Sequence, residues 1–192
     1  MDFFFVRDYR HRPRFFSAEP LGPLPAKFSK TREIWEMAKK KVTSLDPRTL
    51  LQEQAFERGG RPGPGPVRVL HSGHSDAHAV RTRFFFFLQR ARTRHLLLLA
   101  GEAVLLPVSG LAALLPGPNV FFYFLAILMI IQGQALRGIT RLLRREHEFV
   151  ADPLLADWEE AVDAHDEARY PVLLERLAGT HGLSSARKIL WK

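Results

Sequence analysis

The sequence predicts an all-α membrane protein, a two-helix transmembrane hairpin with small helical cytoplasmic flanks, to which one short two-stranded β element can be added. Three observations predict this fold. Between Arg94 and Arg137 the chain runs 42 residues with one formally charged side chain, Glu102. Arginines begin beyond both ends of this apolar stretch. A turn sequence breaks it near the middle: Pro116, Gly117, Pro118 and Asn119.

Each arm of the predicted hairpin has the length needed to cross a bilayer. A helix needs roughly 20 apolar residues to cross about 30 Å of hydrocarbon. Counting outward from Gly117, twenty residues reach Leu97 on one side and Arg137 on the other. The hairpin is therefore predicted over residues 96–139. Two alternatives stay open, a re-entrant hairpin and a soluble helical core.

Arginines at both ends of the hairpin predict its orientation. The connecting turn has no Lys or Arg, whereas both outer ends are rich in Arg. By the positive-inside rule, both termini then face the cytoplasm of a bacterial inner membrane, or the matrix in a mitochondrion. The side chains expected at lipid headgroups are Arg90, Arg92, Arg94, Arg137, Arg141, Arg144 and Arg145.

Residues 1–74 form a basic N-terminal region that is predicted to lie outside the membrane. Helices are expected near 30–45 and 47–58, the second starting at an Asp-Pro pair that caps and begins a helix. A proline- and glycine-rich connector follows at 59–66 and is expected to be extended.

Two short apolar segments in this region have the character of β-strands. They are Phe3–Val6 and Val67–Leu70, and they can pair with each other. The intervening residues 10–25 contain four prolines and are expected to be an extended loop.

Helical patterns flank the hairpin on both sides. Residues 75–95 are predicted to be an amphipathic juxtamembrane helix, with a buried soluble helix as the alternative. Residues 140–192 are predicted to be cytoplasmic helices, the first starting at Asp152-Pro153. Leu155, Trp158, Val162 and His165 mark one amphipathic face of that helix, and Asp157, Glu159, Glu160 and Asp163 lie mostly outside this face.

Charge and composition limit the partners and the chemistry. Residues 1–94 carry 19 basic and 9 acidic side chains, a net charge of +10, which suits anionic lipid headgroups. No nucleic-acid-binding motif accompanies this charge, so nucleic acid is not an expected partner. The chain has no cysteine, which excludes disulfides and thiolate chemistry.

Glu102 is the strongest candidate for a functional residue. A carboxylate inside a span is costly and usually faces other helices or a cavity. Gln132 lies as far after Gly117 as Glu102 lies before it, so Gln132 or Gln134 is expected to hydrogen-bond to Glu102 across the hairpin. This polar seam either carries protons or is a neutral contact that locks the two helices together.

Three histidines, His71, His74 and His78, form a weak metal-site candidate. Their spacing matches no standard zinc pattern, so we expect no metal and no other cofactor. The sequence contains no catalytic serine, zinc-protease, phosphate-loop or dinucleotide-binding motif, and we do not expect an enzyme.

The hairpin segment resembles the mitochondrial potassium–proton exchange-related family, as a bacterial-type member. The resemblance lies in Leu115–Tyr123, in Gln134–Gly138 and in Arg94-His95 before the first arm; it covers about residues 90–145. It implies a membrane protein linked to potassium–proton homeostasis.

Two functions follow from these patterns. The first is a cation-homeostasis protein that acts as a homo-oligomer or as an accessory subunit of a larger membrane complex, because two spans are too few for an ion path. The second is a membrane-anchored scaffold or assembly factor that recruits a partner to the inner membrane surface without transport.

Overall fold

The fold is seen in a computed structural model that describes residues 2–17, 56, 65–111, 120–183 and 186–191. The chain divides into two compact units. The first unit comprises Met1–Leu21, Pro62–Leu88 and Leu142–Lys192. The second comprises Gly22–Arg61 and Gln89–Arg141.

Among the described residues, the first unit is built on a four-stranded mixed sheet. Its strands are β1 (Asp2–Arg7), β2 (Pro13–Ser17), β3 (Val67–His71) and β4 (His147–Ala151), and their order in the sheet is β2-β1-β3-β4. β2 is antiparallel to β1, whereas β1, β3 and β4 are mutually parallel. The carboxyl ends of three strands therefore meet at one edge of the sheet.

Five helices have described bounds. α1 (Ala77–Leu111) and α2 (Val120–Leu142) lie between β3 and β4 in the chain. α3 (Pro153–Asp163), α4 (Tyr170–His181) and α5 (Ala186–Leu190) follow β4 and belong to the first unit. The boundary between the two units falls within α1 and near the end of α2.

Strand β1 is covered by helices on both faces of the sheet. Phe3 to Val6 are all buried, as expected of a central strand covered on both sides. Phe3 packs edge-on against Phe84 of α1 on one face, with ring centroids 5.3 Å apart. Phe4 packs against His181 of α4 on the other face.

The predicted all-α fold is wrong, because the chain contains a sheet. The two segments expected to pair do so, in parallel, but they are the two central strands of four. The loop expected over 10–25 contains strand β2, whose Pro13 stands at the first strand position, where a missing N–H is tolerated. Strand β4 interrupts the region 140–192 that was expected to be helical.

The transmembrane hairpin is also wrong. Across the described parts of the chain, no helix is long and apolar enough to cross a membrane. The described part of α1 after Arg94 ends at Leu111 and includes Glu102, short of the roughly 20 apolar residues that a span needs. The description as an ion-transporting membrane protein depended on this hairpin and is corrected with it.

Several expected elements lie outside the described residues. These are the helices near 30–45 and 47–58, of which only Phe56 is described, most of the connector 59–66, and the turn Pro116, Gly117, Pro118 and Asn119. The start of α3 is as expected: Asp152 accepts hydrogen bonds from the backbone N–H groups of Leu154 and Leu155.

Candidate ligand site at the carboxyl edge of the sheet

The carboxyl edge of the parallel strands carries a cluster of polar side chains in the first unit. The β1–β2 turn leaves this edge after Arg7, and the loop at 72–76 leaves it after β3. α1 and α3 both begin at this edge, directly after β3 and β4. Ligands of open α/β sheets bind in the crevice outside these strand ends.

Glu159 of α3 is the centre of the cluster. Its side chain is buried, with the residue 4% exposed. Oε1 accepts the backbone N–H of Arg7 at 2.9 Å, and Oε2 accepts the hydroxyl of Ser72 at 2.7 Å. These bonds offset the desolvation of the carboxylate and tie α3 to the ends of β1 and β3.

Arg7 connects Glu159 to the surface. Its guanidinium makes a two-pronged contact with Asp163, at 2.9 Å from Nη1 and 2.8 Å from Nη2, and Nη2 also lies 3.3 Å from Glu159. The hydrogen bond to Asp163 raises the pKa of Arg7, and the same bond lowers the pKa of Asp163. Such a planar fork holds both carboxylates in fixed positions.

Asp8 orders the turn that follows β1. Its buried side chain accepts the backbone N–H groups of Arg10 and Arg12 through Oδ1 and the guanidinium of Arg14 through Oδ2. Between these donors, His11 adopts a left-handed backbone conformation with φ 57°. The turn therefore presents His11 at its tip, flanked by two exposed arginines.

Three exposed imidazoles surround this network, and each uses Nδ1 to face a protein oxygen. Nδ1 of His11 lies 3.5 Å from Asp163 Oδ1, and Nδ1 of His74 lies 3.6 Å from Glu159 Oε2. Nδ1 of His165 lies 3.1 Å from the carbonyl oxygen of Asp163. The contact that one ring nitrogen makes sets the role of the other, so Nε2 is the nitrogen left for a ligand.

His11 and His165 also contact each other. Their ring centroids are 5.5 Å apart, and His165, like His11, has a left-handed backbone, with φ 53°. A non-glycine residue in this conformation is uncommon and occurs more often in functional turns. His11 and His165 are therefore two residues in ring contact that both have an uncommon backbone conformation.

The three histidines of the weak metal candidate do not come together. His71 is buried, and its Nδ1 accepts the backbone N–H of Gly73 at 3.1 Å, while burial lowers its pKa against the opposing effect of Glu159. His74 belongs to the edge cluster, and His78 is exposed on α1. No group of three or more metal-binding side chains is arranged to hold an ion in the described ranges.

The predicted polar seam lies in the second unit. Gln132 contacts His95 through Oε1 and Nδ1, while Gln134 is exposed. Glu102 is buried on the same face of α1 as His95, and its Oε2 has no hydrogen-bond partner within the described structure. Burial raises the pKa of Glu102, and the charge of His95 opposes this effect.

The arginines expected at headgroups are mostly exposed. Arg145 is half-buried and donates from Nη2 to the carbonyl oxygen of Gly65 at 2.6 Å. The exposed members are Arg90, Arg92, Arg94, Arg137, Arg141 and Arg144. Their role at lipid stays a prediction.

Sequence reasoning missed the edge cluster. Its members come from three distant segments, and Arg7 and Glu159 stand 152 positions apart. Two features of the sequence could have indicated it. Arg7 directly follows the apolar residues of one predicted strand, and a loop that contains His74 follows the other. The missed residues are Arg7, His11, Ser72, Glu159, Asp163 and His165.

No protein-family model, curated protein or solved structure matches this chain. The resemblance to the potassium–proton exchange-related family therefore stays a prediction.

Proposed function

We propose that the first unit binds a small anionic ligand of the phosphate class at the carboxyl edge of its sheet. One observation carries this proposal: Nδ1 of His11, His74 and His165 each faces a protein oxygen, at 3.5, 3.6 and 3.1 Å, which leaves Nε2 of each ring for a ligand. A protonated imidazole donates from Nε2, which suits a phosphate oxygen.

The remaining groups at this edge favour an anion over a cation. Both carboxylates of the cluster, Glu159 and Asp163, are already bonded to Arg7. Arg10 and Arg12 stand exposed on either side of His11. α1 also begins at this edge, and the N-terminal end of a helix carries a positive partial charge, which acts against the exposed carboxylate of Asp76 directly before the helix.

The residues have distinct roles in this proposal. The three imidazoles contact the ligand, and Arg10 and Arg12 attract it. Glu159 and Asp163 position His74 and His11 without touching the ligand. The proposal concerns binding; the expectation that the chain is not an enzyme, and the cation-homeostasis role implied by the resemblance, stay predictions.

Isothermal titration with inorganic phosphate tests the proposal. The wild-type chain should bind phosphate saturably, and His74→Ala should weaken binding by about tenfold, the effect of about 1.4 kcal/mol from one charge-assisted hydrogen bond. His78→Ala is the matched control, because His78 is also exposed but lies on α1, outside the cluster. Equal effects of the two variants, or no saturable binding by the wild type, would refute the proposal.

A further inference from the structure

His71 is the last residue of β3, and its side chain bonds to the loop at 72–76 that follows. The residue is buried, and its Cα partners in the sheet are two apolar residues, Phe5 of β1 and Ala151 of β4. Nδ1 of the ring accepts the backbone N–H of Gly73 at 3.1 Å. A ring nitrogen that accepts a hydrogen bond carries no proton, so this contact requires the neutral imidazole with its proton on Nε2.

The hydrogen bond of Gly73 lies between two contacts of the edge cluster. Before it, the hydroxyl of Ser72 donates to Oε2 of Glu159 at 2.7 Å. After it, Nδ1 of His74 lies 3.6 Å from the same oxygen. Gly73 itself has a left-handed backbone conformation with φ 81°. The bond to the imidazole therefore helps to fix the direction in which the loop leaves β3, and with it the position of His74.

We infer that His71 is a positioning residue for the proposed anion site, and that it holds the loop and His74 in place only while its imidazole is neutral. The inference rests on the proposed function, because His74 is one of the imidazoles that would contact the anion. A protonated His71 has an N–H on both ring nitrogens and no acceptor. Its Nδ1–H would face the N–H of Gly73, and a partly buried N–H that loses its acceptor costs free energy. Uptake of a proton by His71 therefore releases the loop.

The surroundings of the ring set the pH at which this happens. Burial lowers the pKa of His71, whereas the carboxylates of Glu159 on α3 and Asp76 at the end of the loop act in the opposite direction. The neighbours in the sheet add no charge. Because burial has the larger effect, the ring takes up a proton below about pH 6.5, the ordinary pKa of histidine. The hydrogen bond is therefore complete above that pH and is lost as the pH falls.

The protonated ring also competes for the carboxylate that holds the loop. Glu159 attracts a positive charge at His71, and its Oε2 is the oxygen that accepts the hydroxyl of Ser72 and faces His74. Acid conditions therefore act on two of the contacts of the loop, the bond to Gly73 and those to Glu159.

NMR of the wild-type chain follows the proton and the hydrogen bond without a ligand or a variant. The ring ¹⁵N shifts of His71 should show an unprotonated Nδ1 at pH 7.5. As the pH falls from 7.5 to 5, the amide resonance of Gly73 should move with the same midpoint as the ring of His71. A proton on Nδ1 at pH 7.5, or a Gly73 amide that does not change while His71 titrates, overturns the inference.

His71→Asn separates the role of the acceptor from that of the proton. Oδ1 of asparagine is as many bonds from Cα as Nδ1 of histidine, and it accepts a hydrogen bond but does not titrate. At pH 7.5 the variant should bind inorganic phosphate within about twofold of the wild type. At pH 5 it should bind about fivefold more tightly than the wild type, because its bond to Gly73 persists. His78→Asn is the matched control, since it makes the same exchange at an exposed histidine of α1, and it should show no such difference.

The two measurements distinguish this inference from the proposed function. If the wild type binds phosphate but has the same affinity as His71→Asn at pH 5, the inference is overturned and the proposed function stands. If the wild type binds no phosphate at any pH while His71 and Gly73 titrate together, the proposed function fails, and the control of the loop by His71 is supported.

Discussion

Glu102 provides the sharpest test of the second unit, because its carboxyl group is buried and incompletely bonded. Glu102→Gln keeps the shape of the side chain and removes its charge. Burial raises the pKa of Glu102 in the folded chain. Between its pKa in the unfolded and folded states, the folded chain therefore holds a proton that the unfolded chain has released. The contribution of Glu102 to stability is greatest below this window and falls as the pH rises through it.

The size of the effect follows from the bonding of Glu102. Its Oε2 has no hydrogen-bond partner among the described residues. A buried polar group without a partner costs about 1–3 kcal/mol, and more when it is charged. A glutamine amide in the same place is also without a partner but carries no charge, so the substitution removes only the extra cost of the charged form. Glu102→Gln should therefore increase the free energy of unfolding by about 1–3 kcal/mol at pH 8 and by less at pH 4.

Urea unfolding of the wild type and the variant, measured from pH 4 to pH 8, gives this difference directly. Glu175→Gln on the exposed surface of α4 is the control and should show no pH-dependent gain. A gain from Glu102→Gln that is constant over this pH range, or that shrinks as the pH rises, would refute the reasoning.

Three further substitutions test the first unit by chemical denaturation. Phe84→Ala removes a fully buried ring that packs on Phe3 and should cost about 3–5 kcal/mol, whereas Phe86→Ala, at an exposed position, should change stability by less than about 0.5 kcal/mol. Asp152→Ala removes the cap of α3 and should cost about 1 kcal/mol, and Asp152→Asn should recover most of that loss. Glu159→Ala leaves the N–H of Arg7 and the hydroxyl of Ser72 without their acceptor; it should cost about 2–4 kcal/mol, and a cost below 1 kcal/mol would contradict the assigned network.

Local sequence signals were sufficient for some elements of the fold. Phe3–Val6 reads as a strand because a run of large apolar residues fits a strand covered on both faces, and Val67–Leu70 has the same character apart from Arg68. Asp152-Pro153 predicted the start of α3, and Leu155, Trp158 and Val162 are buried on it as expected. His165 lies beyond the end of the helix, however, and Glu159, expected outside the buried face, is buried. Each of these inferences depends on neighbours within a few positions in the chain.

The errors came from features that depend on tertiary context. β2 starts with a proline and lies at the edge of the sheet, where short strands have weak sequence signals. β4 is a half-buried strand of five residues beside arginine-rich sequence. The membrane prediction relied on the combined length of the apolar sequence on both sides of the turn at 116–119. The length of an apolar segment does not show whether lipid or protein covers it.

The edge cluster was beyond prediction for a different reason. Arg7, Ser72 and Glu159 belong to segments that meet only after the sheet has formed. Serine in a loop and glutamate in a helix are common, so the sequence does not single out Ser72 or Glu159. Only their 2.7 Å contact identifies them as parts of one network.

The order of the strands also determines when the first unit can form during synthesis. β1 leaves the ribosome first, yet its parallel partner β3 begins only at Val67, and β4 completes the sheet from His147 onward. Contacts this distant along the chain fold slowly, because long loops must close before any pairing stabilises them. A nascent chain that stops before β4 leaves one edge of β3 unpaired, so chains truncated near residue 146 should aggregate or require a chaperone.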